Sequence, residues 1–209
     1  MVLKTLIFLR HAQSEANVKN LLTGRLPGIG LSARGEREAK ALTSRIGCGI
    51  DYLHISPMER CHLTIAPWLK SRDASALKTF QIVDEINEID FGSWSGRNLS
   101  TLRRNRLWSD VQIKPSVVRF PNGESFRQAQ RRSVAHVQDV LNSRGNATHL
   151  FVTHSDIIKL ITSSLLGMKL DNFQSIQVDP ASFTVFSGDS NGQRLITLNN
   201  SSPLTEILK

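Results

Sequence analysis

LIFLRHAQSEAN, residues Leu6 to Asn17, is the stretch that decides the fold. Four consecutive apolar residues, Leu6 to Leu9, run straight into Arg10 and His11, and Ser14, Glu15 and Asn17 follow at the spacing of a helix start. A short apolar run of this kind reads as a strand buried on both faces, so an Arg-His pair stands at its carboxyl end. In an α/β sheet that is where ligands bind, because the loop opens over the sheet and the next helix points its N-terminal amides into the same space. An imidazole beside a permanently charged guanidinium is well placed there to attack a phosphoryl group. Taken alone, the pair also reads as two polar residues where a strand surfaces, and the rest of the chain has to choose.

Outward from this stretch, strands and helices alternate. Thr23 to Gly30 (TGRLPGIG) is a Gly/Pro-rich loop, and Ser32 caps a helix through about Arg45 with Ala39, Leu42 and Ile46 on its apolar face. Tyr52 to Ile55 reads as a second strand, Met58 to about Leu69 as a helix, and Lys78 to Val83 as a third strand. The alternation predicts an α/β three-layer sandwich, with a mainly parallel central sheet and helices on both faces. Residues 89–122 hold Gly92, Gly96, Pro115, Pro121 and two tryptophans, with one helical piece near Leu99 to Trp108. This is the composition of a lid-like excursion over an active site. A helix from Gly123 to Asn142 follows, then a buried strand from His149 to Thr153 that delivers His154 as the first strand delivers His11. Ile157 to Leu166 is helical, and Phe183 to Phe186 with Leu195 to Leu198 forms a closing hairpin around Gly188 to Gly192. No repeat or low-complexity linker divides the chain, so residues 1–209 are expected to form a single domain.

With 26 basic against 18 acidic residues, the chain carries a net charge of +8 and favours an anionic substrate or partner. The basic residues are scattered, aromatics are only 6% and no nucleic-acid signature is present, which argues against nucleic acid. The two cysteines, Cys48 and Cys61, lack CxxC spacing and read as reduced thiols of a cytoplasmic protein. The opening MVLKTLIFLRHAQ suits neither a signal peptide nor a membrane span. His54, His62, His136 and His149 show no HxH or HExxH spacing, so structural roles are expected for them and no metal site.

Four separated segments carry groups suited to one reaction. Arg10-His11 and His149-Leu-Phe-Val-Thr-His154 each place a histidine after an apolar strand, SPMER (Ser56 to Arg60) places an arginine at a helix start, and Glu85 and Glu88 supply carboxylates before a Gly-rich turn. Here the sequence resembles the histidine phosphatase superfamily, the phosphoglycerate mutase-like proteins. RHAQSEAN is similar to that family's RHGxTxxN, SPMERCHLT to SPLxRAxxT, NEIDFGSW to REIxxGxW, FPNGES to PGGES and VTHSDIIK to SHGxxIR. The matches occur in order from residue 6 to about residue 186.

The resemblance implies a role for each matching residue. His11 becomes the nucleophile that carries phosphohistidine, Arg10, Arg60 and His154 hold the phosphoryl oxygens, and Asn17, Thr23, Gly24 and Ser155 complete the phosphate pocket. Glu88 aligns with the proton donor to the leaving oxygen. These roles suit a transferred phosphoryl group, whose charge rests on three equatorial oxygens and calls for positioning and fixed positive charge. No cofactor is implied. Ala12 and Ser155 stand where the family has glycine and are expected to modify specificity, by narrowing the pocket or, for Ser155, by donating a hydrogen bond to phosphate.

Cofactor-dependent mutases of this family carry a long insertion with a proline cluster after the catalytic glutamate. Here Arg103-Arg104 is followed only by NRLWSDVQIKPSVVRFPNGES. The expectation is therefore a phosphatase acting on a small anionic phosphorylated substrate, similar to an actinobacterial phosphatase branch often labelled phosphoglycerate mutase. The mutase itself and a catalytically silent phosphate-binding module stand as alternatives. Arg103, Arg104, Lys114 and Arg119 suggest that the substrate carries a second acidic group. Oligomeric state is left open, a homodimer included.

Overall fold

The structure is a computed structural model that describes residues 3–47 and 49–209; Cys48 lies outside the described residues. Strand β1 (Lys4–Arg10) is its centre. Leu6 and Phe8 point into one hydrophobic cluster and Ile7 and Leu9 into another, and all four are fully buried. This is why the run carries no polar alternation: it faces helices on both sides, and each such side chain contributes about 1.5–3 kcal/mol.

Ser14 closes a capping box with Asn17 over the single turn α1 (Glu15–Val18). Two-residue strand β2 (Leu21–Leu22) precedes α2 (Ala33–Ile46), capped by Ser32. Then come β3 (Tyr52–Ile55), α3 (Glu59–Leu69) and the exposed edge strand β4 (Thr79–Ile82). The excursion contains β5 (Arg97–Asn98), α4 (Leu99–Leu102) and α5 (Arg106–Ile113). After it come α6 (Phe126–Asn142), β6 (Ala147–Thr153) and α7 (Ser155–Leu165). The hairpin β7 (Phe183–Asp189) and β8 (Gly192–Asn200) and a last turn α8 (Leu204–Ile207) complete the order.

The six-stranded sheet has the order β4-β3-β6-β1-β7-β8, its first four strands parallel and the hairpin antiparallel. Residues of α6, α7 and the excursion cover the Leu6/Phe8 face, and those of α2, α3 and α8 cover the other. The expected three layers are therefore present. No helix among the described residues is long and apolar enough to cross a membrane.

Three expectations need correction. The helix placed at Leu99 to Trp108 is two helices, because Asn98 and Asn105 each turn a side chain back onto an amide two residues on, Ser100 and Leu107, and so start α4 and α5 separately. Helix α6 starts at Phe126 and not at Gly123, since Ser125 is its cap and Gly123 belongs to the loop before it. That loop lies so close to Gly92 that a Cβ there would sit 2.1 Å from the Pro121 carbonyl, and the φ of +51° at Gly92 independently favours glycine. The hairpin strands extend further than read and leave only Ser190 and Asn191 in the turn.

Candidate active site

The parallel register pairs Arg10 with Thr153, so the next residues, His11 and His154, emerge side by side at the carboxyl end of the sheet. Their rings meet edge to face with centroids 5.3 Å apart. His11 is 4% exposed, and its Nδ1 lies 2.8 Å from the carbonyl of Ala12. That carbonyl can only accept, so the proton sits on Nδ1 and the Nε2 lone pair is free for the cavity the ring lines. Burial, with Arg60 and Arg10 nearby, holds the imidazole well below its ordinary range, so it is neutral at pH 7.

The cavity holds about 160 Å³ and is lined by Arg10, His11, Asn17, Thr23, Gly24, Arg60, Glu88 and Ser155, all expected, together with Ser14, Leu21, Leu22, Phe91, Leu99 and Asp156, which sequence reasoning missed. Arg10 gives an Nη1 hydrogen bond to the Val178 carbonyl at 2.6 Å. Arg60 enters from the first turn of α3 and donates from Nη2 to the Gly24 carbonyl at 3.0 Å. Among the described residues, Arg10 Nε and Arg60 Nη1 are buried donors without a partner. Such groups are costly unless something binds them, and two cationic donors beside a neutral imidazole specify an oxyanion. Asn17 spends its Oδ1 on the Ser14 amide at 2.9 Å, which leaves its NH₂ for a ligand. Ser155 donates to the Val178 carbonyl at 3.3 Å.

The structure sets His154 one layer back from its expected place. It is fully buried and lines no part of the cavity. Arg60 Nη2 donates to its Nδ1 at 3.1 Å, so its proton is on Nε2, which donates to Ser56 Oγ at 2.7 Å. Ala12 is likewise fully buried, within the core cluster under α2 and α3, so its methyl group does not narrow the pocket. Its amide donates to Thr64 Oγ1 at 2.9 Å. Cys61 packs beside His154, and burial pushes its thiol up to about 12.

Glu88 Oε2 lies 3.4 Å from His154 Nδ1 and 3.7 Å from Arg60 Nη2. Desolvation pushes its carboxyl up to about 7 against the pull of Arg60, and Asp156 adds in the same direction. Its main-chain carbonyl is gripped by Arg25 Nε at 2.8 Å and Arg132 Nη2 at 3.1 Å, and both arginines are tied to Glu124. None of this clamp was legible in the sequence, because Arg25, Glu124 and Arg132 come together only through the excursion. Arg103, Arg104, Lys114 and Arg119 are all exposed and line no part of the cavity, so the expectation of a second acidic group loses its support.

The model of the histidine phosphatase superfamily (branch 1) matches residues 6–201. The chain belongs to this superfamily. Within the superfamily it is 30% identical to phosphoserine phosphatase 1 of Hydrogenobacter thermophilus over 203 residues, covering 93% of this chain and 91% of that one. It is also 30% identical to a 2,3-bisphosphoglycerate-dependent phosphoglycerate mutase of Bartonella henselae, covering 82% and 86% of the two chains. Its fold matches the alpha-ribazole phosphatase from Shigella flexneri with a TM-score of 0.80 at 25% identity, covering 95% and 97%.

Proposed function

We propose that the protein is a phosphatase that hydrolyses a small-molecule phosphomonoester through a phosphohistidine on His11. The observation that carries this is the free Nε2 lone pair of a neutral His11 in a cavity that Arg10 and Arg60 also line. In the first step Nε2 attacks phosphorus, the P–O ester bond breaks, and the leaving oxygen takes the proton of Glu88. In the second step water attacks the phosphohistidine, gives a proton to Glu88 and releases inorganic phosphate. Arg10 and Arg60 hold the equatorial oxygens throughout, with Asn17, Thr23, Gly24 and Ser155 around them. His154 positions Arg60 and Glu88. The similarity to phosphatases acting on phosphoserine and alpha-ribazole esters supports hydrolysis, and Cys61 as a buried thiol suits the cytoplasm.

The similarity to a mutase favours a second reading in which the phosphoryl group returns to the product. The two part on one assay. Incubation with 3-phosphoglycerate and a trace of 2,3-bisphosphoglycerate is expected to yield no rapid 2-phosphoglycerate, whereas phosphomonoesters release inorganic phosphate. Release is expected to persist after exhaustive chelation, because Arg10 and Arg60 already supply the fixed charge a metal would bring. Rapid 2-phosphoglycerate formation with little free phosphate, or activity lost to EDTA and restored by metal, overturns the reading.

Glu88→Gln separates the acid from the phosphate grip. An alkyl leaving group needs its proton and is expected to slow by about 10²–10⁴-fold, while 4-nitrophenyl phosphate, with an acidic phenol, loses far less. Because the neutral carboxyl is the competent form and its pKa is pushed up to about 7, single-turnover phosphorylation by an alkyl ester falls as pH rises above 7. Equal losses on both esters mean that Glu88 only shapes the pocket.

A further inference from the structure

The phosphate cavity adjoins a second cavity of about 230 Å³ under the excursion, and Leu22, Phe91, Leu99 and Asp156 line both. The far wall of the second cavity is Trp94, Trp108, Val111, Phe120 and Phe126. Its polar groups are the side chains of Gln112, Gln174 and Asp156 and the indole N–H groups of Trp94 and Trp108, and among the described residues no lysine, arginine or histidine lines it. We propose that the leaving alcohol is neutral and bears an apolar group of one or two rings, which lies in this cavity while the phosphoryl group lies between Arg10, His11 and Arg60. The proposal rests on the phosphatase reading and narrows its substrate class.

Charge decides against the alternatives first. A carboxylate or second phosphate on the alcohol would enter a space that no cation lines among the described residues and would meet Asp156; Lys159 on α7 stands outside the lining, held by Asp156 at 3.7 Å and Gln174 Oε1 at 3.3 Å. Burying an unpaired anion there is far costlier than leaving it in water. A sugar fares little better, since most of the wall is apolar and each hydroxyl left unpaired against it is penalised. Size and shape then favour rings. A cavity of about 150 Å³ already holds benzene, so this one has room for a second ring. The wall offers both faces and edges: Phe91 and Phe120 meet edge to face at 4.8 Å, and Phe120 and Phe126 at 5.2 Å. A planar guest can stack on or abut such a wall.

Phosphonates test the cavity without turnover. Calorimetry on the full chain would compare propylphosphonate, 3-phenylpropylphosphonate and 4-phosphonobutyrate. The phenyl compound is expected to bind about 10–100-fold more tightly than propylphosphonate, the gain from burying one ring. The carboxylate should bind no better than propylphosphonate. Trp108 is only partly buried, so Trp108→Ala spares most of the core and is expected to shrink the phenyl-to-propyl ratio several-fold. A phenyl compound no tighter than propyl, a tighter carboxylate, or an unchanged ratio in Trp108→Ala overturns the proposal. Phosphate release from esters is measured separately: release without an aryl preference in binding keeps the phosphatase and removes this substrate class, whereas a phenyl preference without release does the reverse.

Discussion

His11→Ala is expected to lower kcat by about 10⁴–10⁶-fold, the scale seen when the nucleophile of a covalent mechanism is removed. The size follows from what would remain under the proposed mechanism: Arg10 and Arg60 would still be there for a phosphate oxygen, but no group would stand where Nε2 is to meet phosphorus. The variant should fold. The main-chain amide of residue 11 keeps its 2.9 Å bond to Thr153, and among the described residues the side-chain hydrogen bond lost is the local one to Ala12. The confirming readout is covalent: acid-labile, base-stable label on the peptide containing His11 after a quench with substrate, absent from the variant. Label of that kind in His11→Ala would refute the assignment. The pH dependence adds an independent check. Burial and two guanidinium groups depress His11 well below its ordinary range, so an acid limb near 6.5 is not expected from it.

The site was legible where its residues follow a strong local pattern. The apolar runs Leu6 to Leu9 and Leu150 to Val152 announce two buried strands, and a histidine follows directly after each. What no local pattern carries is the register that sets the histidines side by side, or the depth that leaves His11 at the cavity and His154 behind it. That depth comes from Ser56 and Arg60, which arrive with a different strand and helix and claim both nitrogens of His154. The excursion was legible as an excursion and misread inside. A strand of two residues, Arg97–Asn98 against Leu21–Leu22, is too short for any periodicity, and its partner lies far off in sequence. Asn98 and Asn105 did carry a signal, since asparagine prefers the position just before a helix. The exposed Arg103, Arg104, Lys114 and Arg119 show the opposite error. Charge in a lid-like segment suggests a ligand, yet these four are exposed and line neither cavity, and the wall of the adjoining one is mostly aromatic and aliphatic.

Arg60→Lys is expected to lose about 10²–10³-fold in kcat/KM although it keeps the charge, because one guanidinium serves several partners at fixed angles. Nη2 spans the Gly24 carbonyl at 3.0 Å and His154 Nδ1 at 3.1 Å, while Nη1 is a buried donor without a partner among the described residues, and the proposed mechanism gives it to phosphate. An ammonium group is a point charge on a flexible stem and cannot reproduce that fork. Comparison with Arg60→Met then separates charge from geometry. Arg60 is the strongest influence pulling the Glu88 carboxyl down and, after burial, the strongest depressing His11. Removing its charge therefore raises both pKa values, and the alkaline limb of alkyl-ester phosphorylation moves above 7 in Arg60→Met. In Arg60→Lys the limb stays near 7 while the rate falls. Single-turnover phosphorylation across pH reads both quantities in one experiment. A lysine variant as fast as the unaltered protein would mean that the unpartnered Nη1 does not bind phosphate, and an unmoved limb in Arg60→Met would mean that Glu88 is not the group that titrates.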